Sequence, residues 1–224
     1  MAGTLRTRMC TALAAVLLAV TGGGYAYGLP ATVGEDTLEQ DIAAAAEGVD
    51  AFWQKHWSEF FTESYVSPTV LGLYDGTAPD APTCGGEKLE PGNAFYCIPE
   101  DYVAWDINLM NTGHAAGDAY VYFIVAHEWG HAVQSRLASP AQDIGRELQA
   151  DCFAGAELQG ASQDETIIFE AGDQEEPAAA IASVSDTLPW SNSADHGSVE
   201  QRIHAYNKGV EGGVEDCLPL TTPR

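Results

Sequence analysis

The sequence predicts an α+β fold that is mainly helical and contains a small sheet. Two observations support this expectation. Apolar stretches before residue 63 and after residue 117 are long enough to favour helices over strands. Residues 68–99 between them are rich in Gly, Pro and turn residues, which is typical of loops with short strands. Because 46% of the 224 residues are hydrophobic, one domain with a hydrophobic core is expected.

The first half of the chain is predicted to contain two long helices separated by an edge strand. Residues 35–62 form the first helix, and its apolar face includes the aromatic residues Phe52, Trp53, Trp57, Phe60 and Phe61. Residues 102–107 form the edge strand. The second helix begins at Asp118, a candidate N-cap, and runs to about Leu137, before a Ser-Pro pair.

Three further helices are expected in the second half. Residues 143–158 form one, with Gly160 as its stop signal. A short helix covers residues 178–184. The last helix begins at Ser198 and runs to about Lys208.

The pentapeptide His127-Glu128-Trp129-Gly130-His131 carries the strongest chemical signal. Helical residues four apart share a face, so both imidazoles can point a ring nitrogen at one Zn²⁺. Glu128 lies beside that face, where it can take a proton from a zinc-bound water. The alternative is a buried helix whose two histidines are hydrogen-bonded and hold no metal.

A third protein ligand is needed for a catalytic zinc site with an open position. Glu147 and Asp151 are also four residues apart on a predicted helix. Glu147 can complete the ligand set, and Asp151 can accept the outer N–H of a ligand histidine, His127 being the best candidate. The alternative for this pair is a solvated acidic stripe on a surface helix.

These motifs resemble the bacterial putative neutral zinc metallopeptidases, whose site design is similar to that of the thermolysin-like group. The resemblance rests on the histidine motif, on Glu147-Leu-Gln-Ala-Asp-Cys-Phe-Ala-Gly155 and on His196-Gly-Ser-Val-Glu-Gln-Arg202. It extends from about Asp50 to Tyr206 and implies a zincin-like metallopeptidase domain, residues 29–224, with an active-site helix and one zinc ion. Many members have a second histidine after the motif, where this chain has Ala132. Residues 163–195 match less well, so substrate preference is not predicted.

His196 has two interpretations. In related zinc peptidases a C-terminal histidine donates a hydrogen bond to the oxyanion of the tetrahedral intermediate, which implies a catalytic role. The alternative is a structural contact near a helix cap, with Arg202 pairing a buried acid.

Residues 1–28 have the order of a secretory signal: Arg6 and Arg8, an apolar run, then small residues. A cleaved signal peptide is expected, and an uncleaved N-terminal anchor is the alternative, so membrane association is predicted through this segment only. Four cysteines follow it, Cys84, Cys97, Cys152 and Cys217. An even number in an exported chain predicts two disulfides out of three connectivities. Cys84 and Cys97 flank a Gly/Pro-containing loop and resemble the family's cysteine pair, which leaves Cys152 for Cys217.

The formal net charge of −24 argues against nucleic-acid partners and anionic membrane surfaces. Taken together, the histidine motif, the family resemblance and the N-terminal segment predict a secreted or cell-envelope bacterial zinc metalloendopeptidase. Its substrate is expected to be a peptide or protein of unknown identity. The alternative is a zinc-stabilised binding protein without activity.

Overall fold

The computed structural model describes residues 36–138, 145–173, 175–186 and 196–219. The predicted signal segment lies outside the described residues. Six helices occur in the described part: α1 (Leu38–Phe60), α2 (Ile107–His114), α3 (Asp118–Arg136), α4 (Arg146–Gln163), α5 (Glu176–Ser183) and α6 (Val199–Asp216). Five strands accompany them: β1 (Thr69–Tyr74), β2 (Thr83–Cys84), β3 (Glu87–Lys88), β4 (Ala94–Cys97) and β5 (Tyr102–Asp106). The predicted mainly helical α+β class is confirmed.

Three strands form one sheet in the order β1-β5-β4. β5 runs parallel to β1 and antiparallel to β4. The predicted edge position of residues 102–107 is therefore wrong, because β5 is the central strand and all five of its residues are buried. The two edge strands are β1 and β4. A separate hairpin pairs β2 with β3.

Helix α3 runs through the hydrophobic core, and most of its residues from Ala119 to Gln134 are buried. Its predicted N-cap is wrong by one residue. Gly117 occupies the cap with a φ of 144°, and Asp118 is the first helical residue. The backbone N–H of Ala119 donates to Glu176 of α5, so a side chain distant in sequence helps to satisfy the helix start.

Helix α4 begins and ends later than predicted. The structure describes it from Arg146, and it continues past Gly160, which was predicted to stop it. A Cβ on Gly160 would lie 2.2 Å from a ring carbon of Phe52. This glycine therefore permits close packing of α4 on α1.

Two disulfides are present, Cys84–Cys97 and Cys152–Cys217, as expected. The first joins β2 to the edge strand β4. The second joins the middle of α4 to the residue that caps α6, across 65 residues of sequence. Among the helices that the structure describes, none combines the length and apolar character needed to cross a membrane.

Candidate metal centre

Two adjacent helices bring three predicted metal ligands together. Helix α3 supplies His127 and His131, and α4 supplies Glu147. Their ligand atoms all lie within 4.8 Å of one another. The Nε2 atom of His127 is 3.3 Å from Glu147 Oε2, and the Nε2 atom of His131 is 3.5 Å from Glu147 Oε1.

The other ring nitrogen of His127 is held by a buried ion pair. Its Nδ1 atom lies 2.9 Å from Asp151 Oδ1. Arg202 donates to both oxygens of that carboxylate, from Nε at 2.8 Å and from Nη2 at 2.7 Å. Asp151 and Arg202 are almost completely buried. Since a carboxylate can only accept, Nδ1 of His127 carries the proton and Nε2 faces Glu147.

His131 is held by a different kind of group. Its Nδ1 atom lies 2.9 Å from Oε1 of Gln134, one helical turn further along α3. The amide of Gln134 is fully buried. This arrangement also directs Nε2 towards Glu147.

The three donors fit a zinc ion chemically. Two imidazoles and a carboxylate that converge on one point are donor types that zinc prefers. Burial alone would raise the pKa of Glu147, but the adjacent imidazoles of His127 and His131 lower it overall. Burial acts to lower the pKa of His127, whereas its contacts with Asp151 and Glu147 raise it to about 10. The site therefore favours bound positive charge.

Glu128 is adjacent to the three candidate ligands but does not belong to the group whose ligand atoms converge. It is buried, and burial raises the pKa of its carboxyl, although the imidazoles of His131 and His127 act in the opposite direction. The backbone N–H of Tyr96 on β4 also acts to lower this pKa. A buried carboxyl with a raised pKa is suited to taking and returning a proton.

A cleft of about 300 Å³ opens onto these side chains. One wall is the edge strand β4 with Asn93. His196 also lines this cleft, and its side chain is 52% exposed. Its backbone N–H donates to Asp186, and its ring Nδ1 lies 3.6 Å from Asp186 Oδ1. Arg146 lines the cleft beside Glu147.

The three candidate ligands, Glu128 and His196 therefore line one cleft. Asp151 lies behind His127, and Cys152 lies on the ligand helix α4. Two functional features were not fully predicted. Gln134 was not among the expected site residues, although it lies three residues after His131, a spacing at which helical side chains meet. Arg202 was expected to pair with a buried acid in the structural interpretation of His196, but its partner Asp151, 51 residues away in the sequence, was not identified.

Known proteins resemble this chain over most of its length. The uncharacterized protein YpfJ of Escherichia coli (strain K12) is 26% identical over 208 residues, covering 78% of this chain and 70% of that protein. The uncharacterized protein Rv2575 of Mycobacterium tuberculosis (strain ATCC 25618 / H37Rv) is 28% identical over 208 residues, covering 77% of this chain and 67% of that protein. No solved structure matches the chain.

A family model described as putative neutral zinc metallopeptidase matches residues 30–218. This range includes every described element and all the residues of the candidate metal centre. The chain belongs to the putative neutral zinc metallopeptidase family.

Proposed function

We propose that this protein is an exported zinc-dependent endopeptidase, with His127, His131 and Glu147 as the ligands of one zinc ion. The observation that carries the proposal is the convergence of both Nε2 atoms on the Glu147 carboxylate, with Glu128 beside them in an open cleft. Three protein ligands leave a coordination position for catalysis, whereas structural zinc sites use four.

When bound, zinc supplies Lewis-acid polarisation of the scissile carbonyl and of a water molecule. Glu128 would accept a proton from the attacking water as the water oxygen forms a bond to the carbonyl carbon. It would then return the proton to the leaving amine nitrogen as the C–N bond breaks. A buried carboxyl with a raised pKa keeps both protonation states accessible during the cycle.

Strand β4 is the proposed binding surface for the substrate backbone. It is the edge of its sheet, and Ala94, Phe95 and Tyr96 line the cleft. An extended peptide can add to such an edge through main-chain hydrogen bonds, which do not depend on side-chain identity. Backbone pairing at β4 therefore supports a peptide or protein substrate, and it specifies no preferred sequence.

His196 is the proposed donor to the oxyanion of the tetrahedral intermediate. Its place on the cleft wall and its half-exposed ring support this role. His196 is thus kept as a candidate catalytic group, secondary to Glu128.

Export is supported by the N-terminal sequence and by the two disulfides, since disulfides persist mainly outside the cytoplasm. The proposed location is extracytoplasmic, either secreted or in the cell envelope.

Replacing Glu128 by Gln tests the mechanism. The Glu128→Gln variant should bind zinc as the wild type does and lose hydrolysis of casein or a peptide library by roughly 10²–10⁴-fold, because the proton acceptor is gone. Glu200→Gln, an exposed change on α6, should retain full activity. Full activity in Glu128→Gln would contradict the mechanism.

The same assay distinguishes the alternative function. Wild-type protein that binds zinc tightly but cleaves no member of a broad peptide library would be a zinc-stabilised binding protein. Cleavage that stops with a chelator and returns with zinc would support the peptidase.

A further inference from the structure

The two histidines of the metal centre are oriented by chemically different groups. His127 faces the carboxylate of Asp151, whereas His131 faces the neutral side chain of Gln134. A glutamine amide can present either an acceptor or a donor, so its orientation must be fixed by other contacts before it can dictate the state of an imidazole.

Two backbone carbonyl groups fix that orientation. Gln134 Nε2 lies 2.7 Å from the carbonyl oxygen of Arg146 and 3.1 Å from Gln149 Oε1. Gln149 Nε2 lies 3.0 Å from the carbonyl oxygen of Cys217. Carbonyl oxygens only accept hydrogen bonds. Each amide nitrogen must therefore point at its carbonyl, and the Oε1 atom of Gln134 must point at His131.

We infer that Gln134 and Gln149 form an amide relay that positions His131 for metal binding. The relay runs from the Cys217 carbonyl through Gln149 and Gln134 to Nδ1 of His131. It requires a proton on Nδ1 and leaves the Nε2 lone pair directed at Glu147. Gln134 is thus a positioning residue, which acts on the metal through the imidazole.

Burial makes the relay effective. Gln134 is 0% exposed and Gln149 is 3% exposed, so water cannot readily substitute for a lost partner. The relay also spans three elements: α3 supplies His131 and Gln134, α4 supplies Gln149, and the α6 cap supplies Cys217. The Cys152–Cys217 disulfide ties this last point back to α4.

The inference rests on the proposed zinc site, and its test measures metal binding rather than hydrolysis. Gln134→Met keeps the side-chain length and removes both amide groups. The apparent zinc affinity, measured by competition with a chromophoric chelator, should fall by roughly 10–100-fold, as is usual when the partner of a ligand histidine is lost. The visible spectrum of the Co²⁺-substituted protein should change as His131 reorients.

Two controls separate positioning from loss of stability. Val49→Ala removes buried volume on α1 and should destabilise the protein without changing zinc affinity or the Co²⁺ spectrum. Gln54→Met makes the same chemical change at an exposed site and should alter neither. Wild-type affinity and spectrum in Gln134→Met would overturn the inference.

A double-mutant cycle tests the second link. Gln149→Met should weaken zinc binding less than Gln134→Met, because the Arg146 carbonyl still orients Gln134. The double variant should bind zinc as Gln134→Met does, since Gln149 acts only through Gln134. Additive losses would overturn the relay.

A measurement on the wild type covers the case in which Gln134→Met does not fold. In metal-free protein with ¹⁵N-labelled histidine, NMR should show a proton on Nδ1 of His131. An unprotonated Nδ1 would overturn the inference. Failure of the wild type to bind Zn²⁺ or Co²⁺ would instead overturn the proposed function, and the NMR result would still decide the orientation.

Discussion

Gly130 sets how closely the helix of the histidine motif approaches the helix that carries Glu147. A Cβ added to Gly130 would lie 2.8 Å from the carbonyl oxygen of Ala150 and 3.0 Å from its Cα. Both are backbone atoms, so neither can rotate away. The glycine therefore allows a separation of α3 and α4 at which both imidazoles reach one carboxylate.

Gly130→Ala should consequently affect both stability and metal binding. Forcing the helices apart should cost about 1–3 kcal/mol of unfolding free energy, measured by urea denaturation, and should lower zinc affinity by moving Glu147. Gly212→Ala is the matched control, because its Cβ would meet only the flexible side chain of Asp216. Equal zinc affinity in both variants would show that Gly130 does not set the ligand spacing.

At the scale of the elements, α1 and α4 are joined by a buried polar contact. The indole N–H of Trp53 donates to Glu157 Oε2. The other oxygen, Oε1, has no hydrogen-bond partner among the described residues. Burial raises the pKa of Glu157 well above its usual value, so the folded protein keeps this carboxyl protonated where the unfolded chain ionises it.

The sign of the pH dependence follows from that difference. Above about pH 4.5 the unfolded state releases the proton and the folded state retains it, so stability falls as pH rises. The slope approaches about 1.4 kcal/mol per pH unit. Glu157→Gln removes this contribution and should be more stable relative to the wild type at pH 8 than at pH 4. Thermal unfolding across that range is the measurement.

Glu47→Gln provides the control, since this glutamate is exposed on α1, the helix that carries Trp53. It should keep the wild-type dependence of stability on pH. If Glu157→Gln also keeps the wild-type dependence, the carboxyl of Glu157 is ionised in the folded protein.

Five of the six described helices were predictable because apolar periodicity is a local signal, whereas α2 was not predicted. The ends of the helices were less predictable. Glycine often ends a helix, but Gly160 lies inside α4, where it packs against Phe52, a residue far away in the sequence. The position of residues 102–107 at the sheet edge was predicted wrongly. Tyr102–Asp106 lacks the alternation of a half-buried strand, which is consistent with its central place. The three candidate ligands were predicted from their spacing in the sequence, whereas the partners of His131 depend on how α3, α4 and α6 pack.

At the scale of the whole molecule, the candidate metal centre joins two core helices, α3 and α4. Since the unfolded chain lacks the assembled site, bound zinc should stabilise the folded state by about 2.7 kcal/mol at a hundredfold excess over Kd. For a domain of this size, that corresponds to a rise in Tm of roughly 5–11 °C.

Calorimetry with and without a chelator would measure this stabilisation. Glu147→Gln, which lacks the carboxylate between the imidazoles, should show a much smaller response to the chelator. A Tm that does not change on removal of zinc from the wild type would contradict the linkage between metal binding and folding.

The Cys152–Cys217 bridge has a practical consequence for a protein proposed to cut polypeptides. Any single break between these two cysteines, including one that the proposed activity would make in another copy of the protein, leaves both fragments covalently joined. Such nicked molecules would migrate as one species on a non-reducing gel and separate only after reduction. Gels run under both conditions therefore distinguish intact enzyme from enzyme that has digested itself.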